Sequence, residues 1–340
     1  MHNPILLVCT ALSCLVGLLI ALYTIKWWIK RARELGFTGK DMNKYGEVYV
    51  AEAGGVWVSI AAAFSILFYI AFAKYNGLSS GFEEKYMALT LLLFMSSFLG
   101  FLDDLLGWKK GLRVVYRIVL MAPLSIPLVV IKAGYSKMTI PLLGTIDFGL
   151  AYPLVLVPIG VLGAANAFNM LAGYNGLEAL QGIQLMVFTA IFSILANRVD
   201  VAIAAILMIP PLLGFLRYNW YPARVFPGNA FTYGIGAYYA SLIILGNMEK
   251  FGVMLFTLYF VELLLFLRGL RNGVYKENFG KPHPDGTLDP PYSKSYSLTH
   301  LAIKLQIMIR GKATEKGVVV LISILQLVVG IASLIIARII

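Results

Sequence analysis

The chain has 340 residues, 59% of them hydrophobic and 13% charged, with a mean hydropathy of +0.80. Soluble domains average about 45–50% apolar and about 25% charged residues, so this composition excludes a soluble globular protein and places the chain in lipid. The net charge of +11 suits anionic headgroups or a phosphate-rich substrate, while three histidines (His2, His283, His300) and two cysteines (Cys9, Cys14) exclude a Cys/His metal cluster.

Low-charge stretches of about 17–25 residues, the length that crosses roughly 30 Å of hydrocarbon as helix, recur along the chain. They fall at about 5–25, 48–73, 86–104, 112–131, 148–168, 177–196, 200–216, 230–247, 251–268 and 317–338. The prediction is an all-α polytopic membrane protein of about ten transmembrane helices, organised as a single transmembrane domain over 1–340. Met1–Pro4 holds no Lys or Arg, and Lys26, Lys30, Arg31 and Arg33 follow the first stretch instead, so it reads as a retained span rather than a secretory signal. Most of the 28 Lys and Arg lie in or beside loops at about 26–47, 105–111, 169–176, 217–229 and 269–316; the exceptions are Lys74, Lys85, Lys132, Lys137, Arg198, Lys250 and Arg338. The positive-inside rule makes the crowded side cytoplasmic and puts both termini outside. Cys9 and Cys14 are separated by about 7.5 Å of helical rise alone, too far for a disulfide without distortion.

In the first cytoplasmic loop, Asp41 and Glu52 bracket a short excursion, Phe37–Lys44 followed by Val50–Gly55. The third span ends in Phe101-Leu-Asp-Asp104, two carboxylates at the negative end of a helix dipole, a placement that calls for compensating cations. Lys109, Lys110, Arg113 and Arg117 follow, the last two on one helical face. An acidic pair beside a basic face is what a metal-and-phosphate site uses. The segment with Gly134 and Pro141–Gly144 predicts a short external hairpin. Next comes Asn166–Leu180: Asn166 and Asn169 share a helical face, and Gly173-Tyr-Asn-Gly176 predicts a turn at the membrane edge. Gly228 and Asn229 precede the eighth span as a helix start with an Asn cap, a ready anion site. Glu262, inside the ninth span, is a carboxylate at a depth where such groups turn inward or pair. The last cytoplasmic loop, Gly269–Ser297, predicts an irregular or hairpin arm, and the spacing of Leu298, Leu301, Ala302, Leu305 and Met308 predicts an interfacial helix after it.

A transporter needs polar groups near the bilayer midplane on interrupted helices, often with an inverted repeat, and neither is visible. The polar residues sit at the cytoplasmic ends of the spans, as an enzyme working at one membrane face requires. The motifs quoted resemble those of the polyprenyl-phosphate N-acetylhexosamine-1-phosphate transferase family, over about Gly39–Leu298. The likeness is greatest to the eukaryotic and archaeal branch that makes dolichyl-diphosphate-GlcNAc from UDP-GlcNAc. Gly39–Lys44 with Glu52 resembles that branch's first loop, Phe101–Asp104 its acidic pair, and Asn166–Glu178 its signature; Phe226–Asn229 and Tyr292–Lys294 resemble two further landmarks. Bacterial relatives usually carry Asp-Gly-Ile-Asp-Gly where this chain has Ala-Gly-Tyr-Asn-Gly, so the phospho-MurNAc-pentapeptide translocase is the second choice.

The resemblance implies a transmembrane catalytic domain using Mg²⁺, with Mn²⁺ as an alternative, held by Asn169 and Asn229. Asn229 stands where most of the family has Asp. Asp103 or Asp104 would deprotonate or position the lipid phosphate, and Arg113 would take the place of a diphosphate-binding Lys. Asn175 and Phe226 would hold the uracil, with Met42 and Glu52 bordering the nucleotide and Asn166 on the substrate side. Lys276, Lys281 and His283 would reach the sugar. The implied partners are UDP-GlcNAc and a polyprenyl or dolichyl phosphate, with no nucleic acid and with a homodimer left open. The implied location is an archaeal cell membrane or the endoplasmic reticulum. With the native cysteines replaced, single cysteines at positions 40 and 285 are predicted to react with an impermeant thiol reagent from the cytoplasmic side; labelling from outside alone would invert the topology.

Overall fold

The computed structural model describes residues 4–78, 81–106, 114–140 and 144–339. It opens with α1 (Pro4–Glu34), whose end runs past the membrane segment into basic residues. A two-stranded antiparallel ladder follows, β1 (Thr38–Lys40) with β2 (Tyr49–Ala51), and then α2 (Gly55–Tyr75) and α3 (Glu83–Leu105). The stretch expected as a fourth span is broken into α4 (Val114–Met121), a 3₁₀ turn (Ala122–Ser125) and α5 (Ile126–Val130). Pro123 and Pro127 remove backbone donors there and clash with the preceding turn. The expected hairpin is present as β3 (Lys137–Ile140) paired with β4 (Gly144–Asp147).

A π turn (Tyr152–Leu156) leads into α6 (Val157–Met170), and α7 (Leu177–Leu195), α8 (Val199–Asn219) and α9 (Gly228–Gly246) complete the central bundle. The ninth expected span is bent by 57° between α10 (Glu249–Leu255) and α11 (Thr257–Arg271). The arm after it forms a minimal ladder, β5 (Lys281–Pro282) with β6 (Leu288–Asp289), then the amphipathic α12 (Leu298–Arg310) and α13 (Glu315–Ile339). On α12, Leu301, Met308 and Ile309 are exposed and apolar, in keeping with an interfacial helix. Cys9 and Cys14 are free thiols.

Among the described residues, seven helices are long and apolar enough to cross a membrane, or eight if the bent α10–α11 pair is one span. The chain is therefore a polytopic helical membrane protein, and two of the ten expected stretches do not form a long apolar helix. Besides the broken fourth, the difference is α9, a helix of 19 residues that is not apolar enough by composition. Every residue from Ala230 to Gly246 is buried. Its Gly, Ala, Ser, Thr and Tyr residues face protein on all sides instead of lipid, and small residues are what allow such close helix packing. At Gly236 a Cβ would lie 2.6 Å from the Ala164 carbonyl oxygen, and at Gly100 one would lie 2.3 Å from that of Asn229. The most extensive helix contact is α3 against α9, and α6 flanks α9 as well. This packing brings the end of α3, the end of α6 and the start of α9 to one place.

Candidate active site

The acidic pair is where the sequence placed it, at the last turn of α3, with Asp103 2% exposed. Asp104 reaches across to the start of α9: its Oδ1 accepts the Asn229 N–H at 2.7 Å and its Oδ2 the Ala230 N–H at 3.1 Å. A carboxylate at the negative end of α3 is thus stabilised by the positive end of α9. The approach demands glycine at position 228, where φ is +68° and a Cβ would stand 2.3 Å from Asp104 Oδ2. Asp103 Oδ2 accepts from Tyr233 Oη at 3.0 Å and Asn229 Nδ2 at 3.2 Å, and Arg117 of α4 lies 3.2 Å from it. Arg117 is the cation that the dipole argument called for. Arg113, with Lys109 and Lys110, lies outside the described residues.

Asn229 is not the helix cap expected from sequence. Helix α9 begins at Gly228 with no side-chain cap of its own, and Asp104 provides the cap from another helix. Freed from that role, the Asn229 amide bridges, donating to Asp103 and accepting from Asn169 Nδ2 at 2.7 Å. Asn169 therefore joins the cluster. Asn166 does not: its Nδ2 turns back to the Leu162 carbonyl at 2.8 Å and to Met121 Sδ. The 173–176 turn is as predicted, with Gly173 and Gly176 at φ of +105° and +89°, and Glu178 Oε1 accepts the Gly173 N–H at 2.8 Å.

Asn175 lies at the centre of a second, deeply buried network and is 3% exposed. Its Nδ2 donates to Asp41 Oδ2 at 3.0 Å and to Glu315 Oε1, its backbone N–H donates to Glu315 Oε1 at 2.8 Å, and its Oδ1 accepts the Ala223 N–H at 2.7 Å. In this arrangement the amide is occupied by protein, so Asn175 shapes the turn rather than presenting a free amide. Lys44 pairs with Asp41 at 3.2 Å and with Glu315, and stands 4.2 Å above the Tyr221 ring. Met42, half-buried, lies between Asp41 and Asn43, whose side chain spans Gly173 O and Gly280 N.

The two networks are joined by the segment before α9. Phe226 donates its N–H to Ala51 O at 2.7 Å and accepts from Gly54 N at 2.8 Å, which holds the first loop against the start of α9. Glu52 sits in that loop, its backbone carbonyl taking the Trp28 Nε1 hydrogen at 2.7 Å. Burial, only partly offset by the Ala53 N–H, pushes the Glu52 carboxyl up to about 7.

The arm residues are distributed differently from expectation. Lys276 is buried against Glu262 and donates to Asn278 Oδ1 at 2.5 Å, and burial lowers its pKa. Glu262, fully buried, also accepts the Leu298 N–H at 2.7 Å, so it turns inward and caps α12. Asn278 donates to the Met170 and Ala172 carbonyls, clipping the arm to the end of α6. Lys276 is therefore a structural cation. Lys281 and His283 are exposed on the β5–β6 ladder; His283 Nε2 lies 2.8 Å from Asp289 Oδ2 and borders a cleft of about 410 Å³ with Ile307 and Lys312. Neither makes a hydrogen bond to the Asp103 cluster among the described residues. His300, buried and held neutral with its pKa lowered to about 4 by burial, supports the arm through Glu277 O at 2.8 Å.

Sequence reasoning passed over Tyr233, Lys44 and Glu315. Tyr233 had a signal, lying four residues after Asn229 and so on the same face of α9. Glu315 had none beyond an acid in the first turn of a helix.

Buried carboxylates, paired amides and an arginine converge at the helix ends of a polytopic membrane protein, a set suited to charged phosphates, and among the described residues no Ser or Cys bonds to the Asp103 cluster. The signature of Glycosyl transferase family 4 matches residues 86–247. A Sulfolobus acidocaldarius protein provisionally named UDP-N-acetylglucosamine–dolichyl-phosphate N-acetylglucosaminephosphotransferase is 34% identical over 92% of this chain and 91% of its own length. The Dictyostelium discoideum protein of that name is 30% identical, over 86% of this chain and 79% of its own length. A phospho-N-acetylmuramoyl-pentapeptide-transferase of Bacillus licheniformis is 35% identical but over only 54% of this chain and 60% of its own. The chain belongs to Glycosyl transferase family 4 and resembles its dolichyl-phosphate members over nearly its full length.

The raised Glu52 pKa has a consequence for stability. The folded protein holds the Glu52 proton more tightly than the unfolded chain, whose value is near 4.5, so the favourable contribution is complete below about 4.5 and is lost as pH rises through about 7. Glu52→Gln is predicted to flatten the fall in thermal unfolding midpoint across that window, measured in detergent at a series of pH values. An unchanged slope would contradict it.

Proposed function

We propose that this protein transfers N-acetylglucosamine 1-phosphate from UDP-GlcNAc to a dolichyl or other polyprenyl phosphate and releases UMP, the first membrane step of lipid-linked oligosaccharide assembly for N-glycosylation. The observation that carries this is the Asp103–Asp104–Asn169–Asn229 cluster at converging helix ends, in a chain 34% identical to a dolichyl-phosphate transferase along nearly its whole length. An oxygen of the lipid phosphate attacks the β-phosphorus of UDP-GlcNAc, the bond from that phosphorus to the bridging oxygen breaks, and the electron pair leaves with UMP. Such a transfer asks for positioning and charge neutralisation and little covalent work by the protein. Asp104 is committed to the α9 N-terminus, so Asp103, with Arg117 and Tyr233 against it, is the better placed to orient the acceptor phosphate and hold its proton.

The donor set fits Mg²⁺, or Mn²⁺. Among the described residues no three His, Cys, Asp or Glu side chains converge, as a dedicated all-protein cage would need. Instead Asn169 and Asn229 touch each other, with Asn229 also bonded to Asp103, and a half-turn of the Asn169 amide would present both amide oxygens. A hard cation that takes one or two protein oxygens and completes its shell with substrate phosphates matches this set. When bound there, it would offset the diphosphate charge. Met42, Glu52, Phe226 and the Asn175 turn border the nucleotide, and Lys281 and His283, exposed on the arm, are the candidates for the sugar end. The Lys and Arg distribution puts this face in the cytoplasm, and the ten-span topology follows if the broken fourth stretch, α9 and the bent α10–α11 pair each cross. The resemblance to Sulfolobus proteins favours an archaeal cell membrane.

Purified protein with Mg²⁺ and dolichyl phosphate is predicted to release UMP from UDP-GlcNAc and to form a lipid diphosphate sugar. A panel including UDP-GalNAc and UDP-MurNAc-pentapeptide identifies the donor, and a lipid product without the β-phosphate would overturn the transferase reading. Asn229→Asp is predicted to lower the Mg²⁺ concentration for half-maximal activity and Asn229→Ala to raise it, because a carboxylate adds charge that an amide lacks. Superimposable Mg²⁺ titrations of the three proteins would remove Asn229 from the metal site.

A further inference from the structure

We propose that Glu315, at the start of α13, is a positioning residue for nucleotide recognition, holding the Asn175 turn in the shape that receives the uridine diphosphate. The inference rests on the reading that this turn borders the nucleotide. Glu315 is 3% exposed, and its hydrogen bonds among the described residues go to Asn175 and Lys44, not to the first turn of its own helix. Its Oε1 takes both the backbone N–H of Asn175, at 2.8 Å, and the side-chain Nδ2. Asp41 Oδ2 takes Nδ2 as well, at 3.0 Å, and the Ala223 N–H satisfies Oδ1 at 2.7 Å. A reversed Asn175 amide would set its oxygen against two carboxylates and leave Ala223 facing an NH₂ group, so only one orientation is compatible with Glu315 and Asp41. With Glu315 removed, the Asn175 backbone N–H would be buried without a partner, a costly state that the turn would relieve by moving.

The three segments so tied are remote in sequence: the first loop through Asp41 and Lys44, the α6–α7 turn through Asn175, and the segment leading to α9 through Ala223. Helix α13 lies beyond residues 86–247, where the family signature matches, yet it supplies the acceptor around which these segments converge. Lys44 offsets the charge of the two carboxylates, at 3.2 Å from Asp41 and in contact with Glu315. The Tyr221 ring covers it, with Lys316 4.7 Å from the ring centre. Lys44 would keep a partner in Asp41 if Glu315 lost its charge, whereas among the described residues Asn175 has no second acceptor for its backbone N–H.

That asymmetry separates positioning from simple ion pairing. Glu315→Asp keeps the charge for Lys44 but withdraws the carboxylate from Asn175 by one methylene. Glu315→Gln loses the charge but keeps an acceptor oxygen at full reach. In the full-length purified protein with Mg²⁺, Glu315→Asp is expected to raise KM for UDP-GlcNAc and the Kd for UMP about tenfold, the scale of a lost charge-assisted hydrogen bond. KM for dolichyl phosphate should move less than about threefold, and Glu315→Gln should restore UMP binding to within about threefold of wild type. Gln behaving worse than Asp would assign Glu315 to the Lys44 ion pair alone, and equal losses for both substrates with a lowered unfolding midpoint would make its role merely structural; either overturns the proposal. Unchanged KM and Kd in Glu315→Asp, with wild type active on UDP-GlcNAc, would overturn it while leaving the proposed function standing. A wild-type protein that binds no uridine nucleotide would overturn both.

Discussion

The end of α3 meets the start of α9 head to tail, and Asp104 is the group between them. Its two oxygens cap α9 through the Asn229 and Ala230 N–H groups, in a position where its own helix disfavours negative charge. This junction exists only because Gly100 and Gly228 carry no Cβ, since either added carbon would collide with the opposing element. Everything at the site takes its coordinates from it. Asn229 is turned toward Asn169 and Asp103, and Tyr233, one turn further along α9, reaches the same carboxylate. Burial of α9 on all sides gives this junction a rigid backing, as pre-organised electrostatics at a phosphoryl-transfer site requires.

A second constraint spreads the site outward. The segment Ala223–Asn229 is bonded in succession to Asn175, to Asn219, to the first loop and to the acidic pair. The Asn175 turn and the Asp103 cluster are thus joined by one short, hydrogen-bonded stretch. On the other flank, Lys276 and Asn278 grip the end of α6 while Glu262 holds both Lys276 and the first turn of α12. The arm is anchored at its base and exposed at its tip, where Lys281 and His283 sit.

Class, motif positions and part of the site were legible in the sequence because they depend on local physics. Hydropathy over about twenty residues reports lipid exposure, and the chain is a helical membrane protein as that property predicted. Asp103, Asp104, Asn169 and Asn229 drew notice because polar groups at membrane edges and carboxylates at helix C-termini are locally costly, and the structure brings these four together. Two of the ten stretches differ from plain lipid-facing spans in an instructive way. Helix α9, read from sequence as the stretch 230–247, is less apolar than the other spans and is packed against protein all round, and the fourth stretch is apolar but interrupted at Pro123 and Pro127.

What the sequence alone determined, then, is a lipid-embedded helical chain with charge-bearing motifs at the ends of its helices, because composition, periodicity and dipole position are properties of single segments. Only the tertiary structure decided the partners. That Asp104 caps a helix more than a hundred residues away, that Lys276 serves Glu262 in the preceding helix and that Glu315 holds Asn175 are pairings between separate segments. A hydrogen bond depends on distance and angle in space, and no spacing along the chain encodes which of several buried carboxylates an amide will meet.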